Sequence, residues 1–214
     1  MSTHLLASDE LIAGIKSNRL QNPDLSDEEW SILTKSYERV MTAPIFLDDS
    51  SILTSTMLKA KARRLANKHH VGCIIVDYLQ LMSGGGGYSD NRVQEVSEIS
   101  RALKQIAREL KIPVIALSQL SRQVETRQTK RPHLSDLRES GAIEQDADVV
   151  MFIHRDDYYG NDNAVKEANN PYSMEGTRLP TAEIIVAKNR NGPTDSVKLL
   201  WFKEITRFLS STGR

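Results

Sequence analysis

Four apolar runs, each interrupted or closed by a polar residue, constrain this chain more than any other feature. They are Cys73–Met82, broken by Asp77; Pro113–Leu117, followed by Ser118-Gln119; Ala147–Ile153; and Ala182–Ala187, followed by Lys188. Near-continuous apolar runs of this length read as buried strands of a parallel sheet. Helical patterns lie between them, the longest over Val93–Leu110. Strands alternating with helices predict an α/β fold with a parallel sheet. Val197–Phe202 predicts a last strand, on an antiparallel C-terminal edge.

Ahead of these runs the chain reads as helical over residues 8–40, with Leu11, Ile12 and Ile15 at helical spacing. Ser26 followed three residues later by Glu29 is the pattern of a capping box. Trp30, Leu33, Tyr37 and Val40 then predict one apolar face, and Ala43-Pro44 ends it. Ile45–Leu47 predicts a short buried strand closed by Asp48-Asp49, and Thr54–Asn67 a second amphipathic helix. Gly84–Gly87 reads as a flexible loop, and the polar, turn-rich stretch Asp156–Pro180 as an exposed excursion. The expected organisation is a helical lead-in with one strand over 1–70 and a core over 71–214.

Composition narrows the class. A 39% hydrophobic content across 214 residues supports a core without disulfides or structural metal, and the single cysteine, Cys73, excludes an internal disulfide. It reads as inert core within its run. No apolar run approaches the ~18 residues that span a bilayer, and Met1–Leu6 lacks the features of a signal peptide, so a cytoplasmic location is expected. Lys and Arg number 28 against 28 Asp and Glu. Nucleic-acid binding would therefore rest on a local arrangement rather than on bulk charge. His69-His70 have no ligand-spaced partners and read as surface histidines.

Several positions carry chemistry, each with a plainer alternative. Asp77 ends an apolar strand, where open α/β sheets place ligands and where a Walker B carboxylate helps hold a nucleotide's magnesium. Many buried strands also end in an acid that only caps the next element. Gln119 follows another such strand, where an amide can report a terminal phosphate or simply end the strand. Lys188 and Arg190 lie one residue apart on an extended segment, so their side chains share a face. They suit a grip on phosphates, or a solvated hairpin. Leu137–Asp148 reads as a polar loop in which Arg138 can pair with a phosphate of DNA and Gly141 admits close backbone approach. A helix terminus with local ion pairs is the alternative.

The order of these segments is more specific than any one of them. Ile74–Met82, Pro113–Arg122, Arg131–Asp148 and Lys188–Pro193, with Thr206–Phe208 after them, closely resemble the motor domain of DnaB-type replicative helicases over nearly the whole chain. A RecA-like recombination or circadian-clock ATPase shares the strand order, but the Asp136–Asp148 block is nearer to the replicative helicases. The resemblance implies a RecA-like P-loop NTPase sheet, mostly parallel with antiparallel C-terminal strands. It implies ATP and Mg2+ as cofactors, single-stranded DNA and other helicase subunits in a hexameric ring as partners, and ATP-dependent unwinding of duplex DNA. By the same resemblance Asp77 is the Walker B acid and metal-binding residue, and Gln119 the γ-phosphate sensor. Arg138, Glu139 and Gly141 lie on the DNA-binding loop, and Lys188 and Arg190 reach the nucleotide of the adjacent subunit, Arg190 as arginine finger.

Two departures qualify the match. No Gly-x-x-x-x-Gly-Lys-[Ser/Thr] occurs in the 214 residues, so the P-loop cradle and its lysine are absent from them. The expectation is a sheet lacking the P-loop strand, with exposed apolar edges or faces, and an isolated chain inactive without a companion chain carrying the P-loop. A non-catalytic DNA-binding or ring-assembly module that donates an arginine finger in trans is the other class of reading. Asp195, where the family commonly has glycine, bears on the turn behind Arg190.

Overall fold

The structure is a computed structural model that describes residues 15, 17–20, 24–83, 92–155, 173–174, 177–178 and 180–210. Leu11, Ile12, Gly84–Gly87 and most of Asp156–Pro180 lie outside the described residues. The helices are α1 (Ser17–Leu20), α2 (Asp27–Thr42), α3 (Ser55–His69), α4 (Arg92–Leu110), α5 (Gln123–Thr126) and α6 (Gly141–Asp146). The strands are β1 (Ile74–Val76), β2 (Val114–Ala116), β3 (Val149–His154), β4 (Ser173–Met174), β5 (Thr177–Arg178), β6 (Thr181–Asn189), β7 (Asp195–Phe202) and β8 (Arg207–Ser210). β1 pairs with β2 in parallel, and β7 with β8 antiparallel. A four-stranded sheet runs β3-β6-β7-β8. This is the expected α/β fold with an antiparallel C-terminal end.

Packing divides the chain into two units, one of 49–152 with 185–195, the other of 1–48, 153–184 and 196–214. The first is organised by α4. Val96, Ile99, Leu103 and Ile106 recur at helical spacing and are almost wholly buried, Ile99 completely. Leu58 and Ala62 of α3, Val76 of β1, Leu79, Met82, Leu137, Ile143 of α6, Val150 and Phe152 of β3, and Ile185 of β6 complete the same cluster. Burying side chains of this size is worth ~1.5–3 kcal/mol each. Outside the apolar contact, Glu109 near the end of α4 pairs with Arg63 and, at 2.8 Å, with Lys59 of α3. Hydrogen bonds from Arg63, then Lys59, hold its carboxyl at about 2, down from an ordinary 4.5.

In the second unit Ser26 caps α2. The Glu29 N–H donates to Ser26 Oγ at 3.2 Å, and the Ser26 N–H donates to the Glu29 carboxylate at 2.8 Å. The capping box therefore forms where the spacing predicts it. Glu29 also accepts from Arg19 of α1 at 2.8 Å, and this hydrogen bond is the main cause of its carboxyl standing at about 2. Ala43 ends α2 as expected, and the helix expected over Thr54–Asn67 forms as α3, with Thr54 as its cap.

Several expectations are corrected. Ile45–Leu47 forms no strand: the Ile45 N–H turns back to the Ala43 carbonyl at 2.7 Å, and all three side chains are exposed. Trp30 is exposed too, because α2 buries a stripe through Ser36 and Val40 that begins beyond it. The strands are not buried on both faces. Ile75 and Ile115, directly paired between β1 and β2, are 67% and 48% exposed. In β3, Val150, Phe152 and His154 are buried while Val149, Met151 and Ile153 are exposed. Cys73 precedes β1 and is half-buried rather than core. Leu137–Asp148 is mostly helical, a 3₁₀ segment over Leu134–Ser140 running into α6, so the loop reading there gives way to the helical one. His69 and His70 are exposed as expected, and the described residues contain no cluster of potential metal ligands.

Two consequences are measurable. Ile99→Ala removes the most buried side chain of the α4 stripe and is expected to cost ~2–5 kcal/mol of stability in urea unfolding. The depressed carboxyl of Glu109 stabilises the folded state fully above pH 4.5, and that contribution is lost as pH falls towards about 2. Carboxyl NMR should show Glu109 titrating near the lower value, and the depression should vanish in Arg63→Ala, Lys59→Ala.

Candidate functional site

The carboxyl ends of β1 and β2 converge because pairing continues past the strands themselves. The Leu117 N–H donates to the Val76 carbonyl at 2.9 Å, and the Leu79 N–H donates to the Leu117 carbonyl at 2.9 Å. Asp77, on the turn after β1, and Ser118-Gln119, after β2, are therefore placed side by side at the end of the parallel pair, where α/β sheets bind ligands. Both Asp77 and Gln119 are exposed. An exposed carboxylate offers the hard oxygen ligands that a magnesium ion takes, and an exposed amide can donate to a phosphate.

Gln80 joins these two segments. Its Nε2 donates to Ser118 Oγ at 3.0 Å and to the Gln119 carbonyl at 3.3 Å, while its Oε1 accepts the Gln119 N–H at 3.2 Å. Arg92, the first residue of α4, donates to the Gln80 carbonyl at 2.6 Å and pairs with Glu95. The sequence alone does not mark Gln80 as functional. Its one signal is an amide between Leu79 and Leu81 in an otherwise apolar run.

Lys188 and Arg190 form a second cluster, at the C-terminal end of α6. Lys188 Nζ donates to the Glu144 carbonyl and, at 3.4 Å, to the Gln145 carbonyl. Arg190 donates to the same Gln145 carbonyl at 3.1 Å, and its guanidinium lies 3.2 Å from the Asp148 carboxylate. The shared direction expected of the two cations is observed. They satisfy carbonyls that the end of a helix leaves without partners. Asp148 also pairs with Lys104 of α4, and it accepts the Arg190 N–H through its main-chain carbonyl at 2.8 Å. A hydrogen bond from Lys104 is the main influence lowering its carboxyl below the usual range, with the Arg190 charge adding to it.

The turn Asn189–Pro193 behind Arg190 needs its glycine. A Cβ on Gly192 would stand 2.7 Å from Asn189 Nδ2. That amide cannot swing aside freely, since Nδ2 donates to the Pro193 carbonyl at 3.2 Å and Oδ1 accepts the Asn191 N–H at 3.3 Å. Asp195 opens β7 beyond this turn and is exposed.

Of the positions expected to touch DNA, Arg138 and Glu139 lie on the 3₁₀ segment, but their side chains lie outside the described residues. Gly141 has φ −50° and ψ −22°, a conformation any residue adopts, and open space where a Cβ would stand. The start of the segment is anchored by Asp136, which is nearly buried. It accepts from Arg127 at 2.6 Å and from the His133 N–H at 2.9 Å, and the His133 ring lies 2.8 Å from it. Burial pushes its carboxyl up, but those hydrogen bonds outweigh it and leave the carboxyl below its usual range. The Ser121 N–H in turn donates to the Asp136 carbonyl at 3.0 Å, tying the segment to the chain leaving β2.

Solved structures identify the class. A solved ATPase domain superposes with a TM-score of 0.84 at 36% identity, over 98% of this chain and 71% of that one. A DnaB-like replicative helicase, solved in a study of its interactions with primase, superposes with a TM-score of 0.85 at 36% identity, over 98% of this chain and 48% of that one. The fold is that of a helicase ATPase domain. The family described as DnaB-like helicase C terminal domain matches residues 1–210, and the chain belongs to it. Among its relatives, the replicative DNA helicase DnaB of Geobacillus stearothermophilus is 47% identical over 94% of this chain and 41% of its own length. The replicative DNA helicase DnaC of Bacillus subtilis is 48% identical over the same shares. The chain thus spans about two-fifths of the length of these curated relatives.

Replacing Gly192 with alanine is expected to break the two Asn189 hydrogen bonds and cost about 1–2 kcal/mol. Urea unfolding measures the cost. Faster exchange of the Arg190 amide, which donates to Asp148, would show that the cation is displaced with the turn.

Proposed function

We propose that this chain supplies part of the ATPase motor of a replicative DNA helicase that works as a hexameric ring. The observation that carries the reading is the convergence of Asp77 and Gln119 at the carboxyl ends of the parallel pair, in a domain of the DnaB-like family. In this reading Asp77 holds the magnesium ion of bound ATP, and that ion neutralises charge on the phosphates during transfer to water. Gln119 hydrogen-bonds the terminal phosphate and changes partners when it leaves. Lys188 and Arg190 face the nucleotide of the adjacent subunit, and Arg190, with a planar fork of donors, acts as arginine finger. Arg138, Glu139 and the open backbone at Gly141 hold single-stranded DNA. Cytoplasmic work at the replication fork fits such a role, and no described helix is long and apolar enough to cross a membrane.

The motor needs a phosphate cradle, and none of the 214 residues forms a P-loop motif. Turnover by this reading requires polypeptide outside these residues, in the same protein or in a companion chain. The chain alone is expected neither to hydrolyse ATP nor to unwind DNA.

The test is ATP turnover with single-stranded DNA in an assembly that contains a P-loop. Asp77→Ala and Gln119→Ala are each expected to lower kcat by on the order of a hundredfold, the scale of losing a group that acts on the transition state. Arg190→Ala should be equally damaging alone. Mixed with Asp77→Ala subunits it should recover part of the turnover, because some interfaces then carry both wild-type groups. Failure of the mixture to recover any turnover would exclude action in trans, and full turnover by Asp77→Ala would exclude the motor reading.

A further inference from the structure

We propose that Gln80 is the positioning residue for Gln119, a side-chain clamp that fixes the backbone of the sensor from the turn carrying Asp77. The inference rests on the roles proposed above for Asp77 and Gln119, and it adds a residue that fixes one relative to the other.

The need for a clamp follows from where the ladder stops. The last main-chain bonds between the two segments are those of Leu117, whose N–H donates to the Val76 carbonyl and whose carbonyl accepts the Leu79 N–H. Gln119 lies two residues past that point and is exposed. A side chain can report one phosphate only if the backbone that bears it has one position. Gln80 supplies that constraint with its own amide. Oε1 accepts the Gln119 N–H at 3.2 Å and Nε2 donates to the Gln119 carbonyl at 3.3 Å, the two contacts a neighbouring strand would otherwise make. Nε2 donates also to Ser118 Oγ at 3.0 Å, so Ser118 and Gln119 are both held.

The chemistry of the side chain is specific. The clamp needs an acceptor and a donor on one planar group at this reach, which a carboxamide provides. A carboxylate retains the acceptor but has no hydrogen for the Gln119 carbonyl; leucine has neither. Gln80 is itself held from two sides. Leu79 is buried at 2% exposure, and Arg92 donates to the Gln80 carbonyl at 2.6 Å while pairing with Glu95 of α4. Only Tyr78 and Leu79 separate the clamp from Asp77, so a shift of the Asp77 turn on gaining or losing a metal–phosphate group carries the Gln119 backbone with it.

Two readouts test the clamp. The first is amide hydrogen exchange in the 214-residue chain. Gln80→Leu is expected to speed exchange at Gln119 by on the order of tenfold, the scale of one lost hydrogen bond, while Leu117 and Ile74 keep their wild-type rates and report an intact fold. Gln80→Glu, which retains the acceptor, should leave the Gln119 amide protected. Equal rates at Gln119 in wild type and Gln80→Leu would overturn the proposal. The second readout is ATP turnover in a P-loop-containing assembly, with Asp77→Ala alongside. Gln80→Leu should lower kcat about tenfold with KM for ATP little changed, since a misplaced sensor weakens the transition state more than ground-state binding. Wild-type kcat in Gln80→Leu beside a dead Asp77→Ala would overturn the clamp and leave the motor reading standing. Undiminished turnover in Asp77→Ala would instead remove the motor reading, and exchange at Gln119 would then decide whether Gln80 holds that backbone.

Discussion

The larger unit depends on one stripe of α4. Val96, Ile99, Leu103 and Ile106 are at most 5% exposed, and they share a buried cluster with residues of α3, β1, α6, β3 and β6. Such a core fixes geometry as well as stability, because close-packed side chains transmit displacement instead of absorbing it. The polar ends of α4 then inherit that rigidity. Arg92 at its start holds the Gln80 carbonyl, Lys104 near its middle pairs with Asp148, and Glu109 near its end pairs with α3. One helix therefore sets both the turn that carries Asp77 and the carboxylate that meets Arg190.

Both clusters of candidate functional groups are built where regular structure runs out. Strand ends and helix ends leave main-chain groups without partners, and those groups are available to fix side chains. Past β2 the N–H and carbonyl of Gln119 are taken by Gln80. At the end of α6 the carbonyls of Glu144 and Gln145 are taken by Lys188 and Arg190. A polar site made this way is exposed without being loose.

Much of this was legible in the residues. The capping box at Ser26 and Glu29, the span of the long helix α4 and the placement of Asp77 and Gln119 at strand ends follow from local rules of spacing and alternation. Apolar character in the sequence does not by itself give burial. Ile75 and Ile115 look like central-strand residues in sequence, yet they share an open face, because composition says that a strand suits a covered position and not whether anything covers it. The same holds for Ile45–Leu47: a β-prone tripeptide is a strand only with a partner to pair with. Gln80 and the Arg127–Asp136 pair went unread for another reason. Their partners lie 38–39 and 9 residues away, and contacts at those separations have no periodic signature.

The contacts of Lys188 and Arg190 suit the role proposed for them, a cation aimed at a neighbouring subunit. Two positive charges one residue apart repel, and an exposed arginine samples many rotamers, so an unsupported pair would be poorly aimed. Here the Gln145 carbonyl accepts from both, and Asp148 accepts from Arg190 through its carboxylate and its main chain. The Asp148 carboxylate is shared with Lys104, so its charge is already partly compensated and grips Arg190 less firmly than a lone anion would. An ion pair at such an exposed position is worth little on its own. Its effect is on direction: it holds the base of the guanidinium in one place while leaving the group exchangeable for a stronger anion. The role proposed for Arg190, acting on a phosphate and then releasing it, calls for that combination of fixed aim and weak retention.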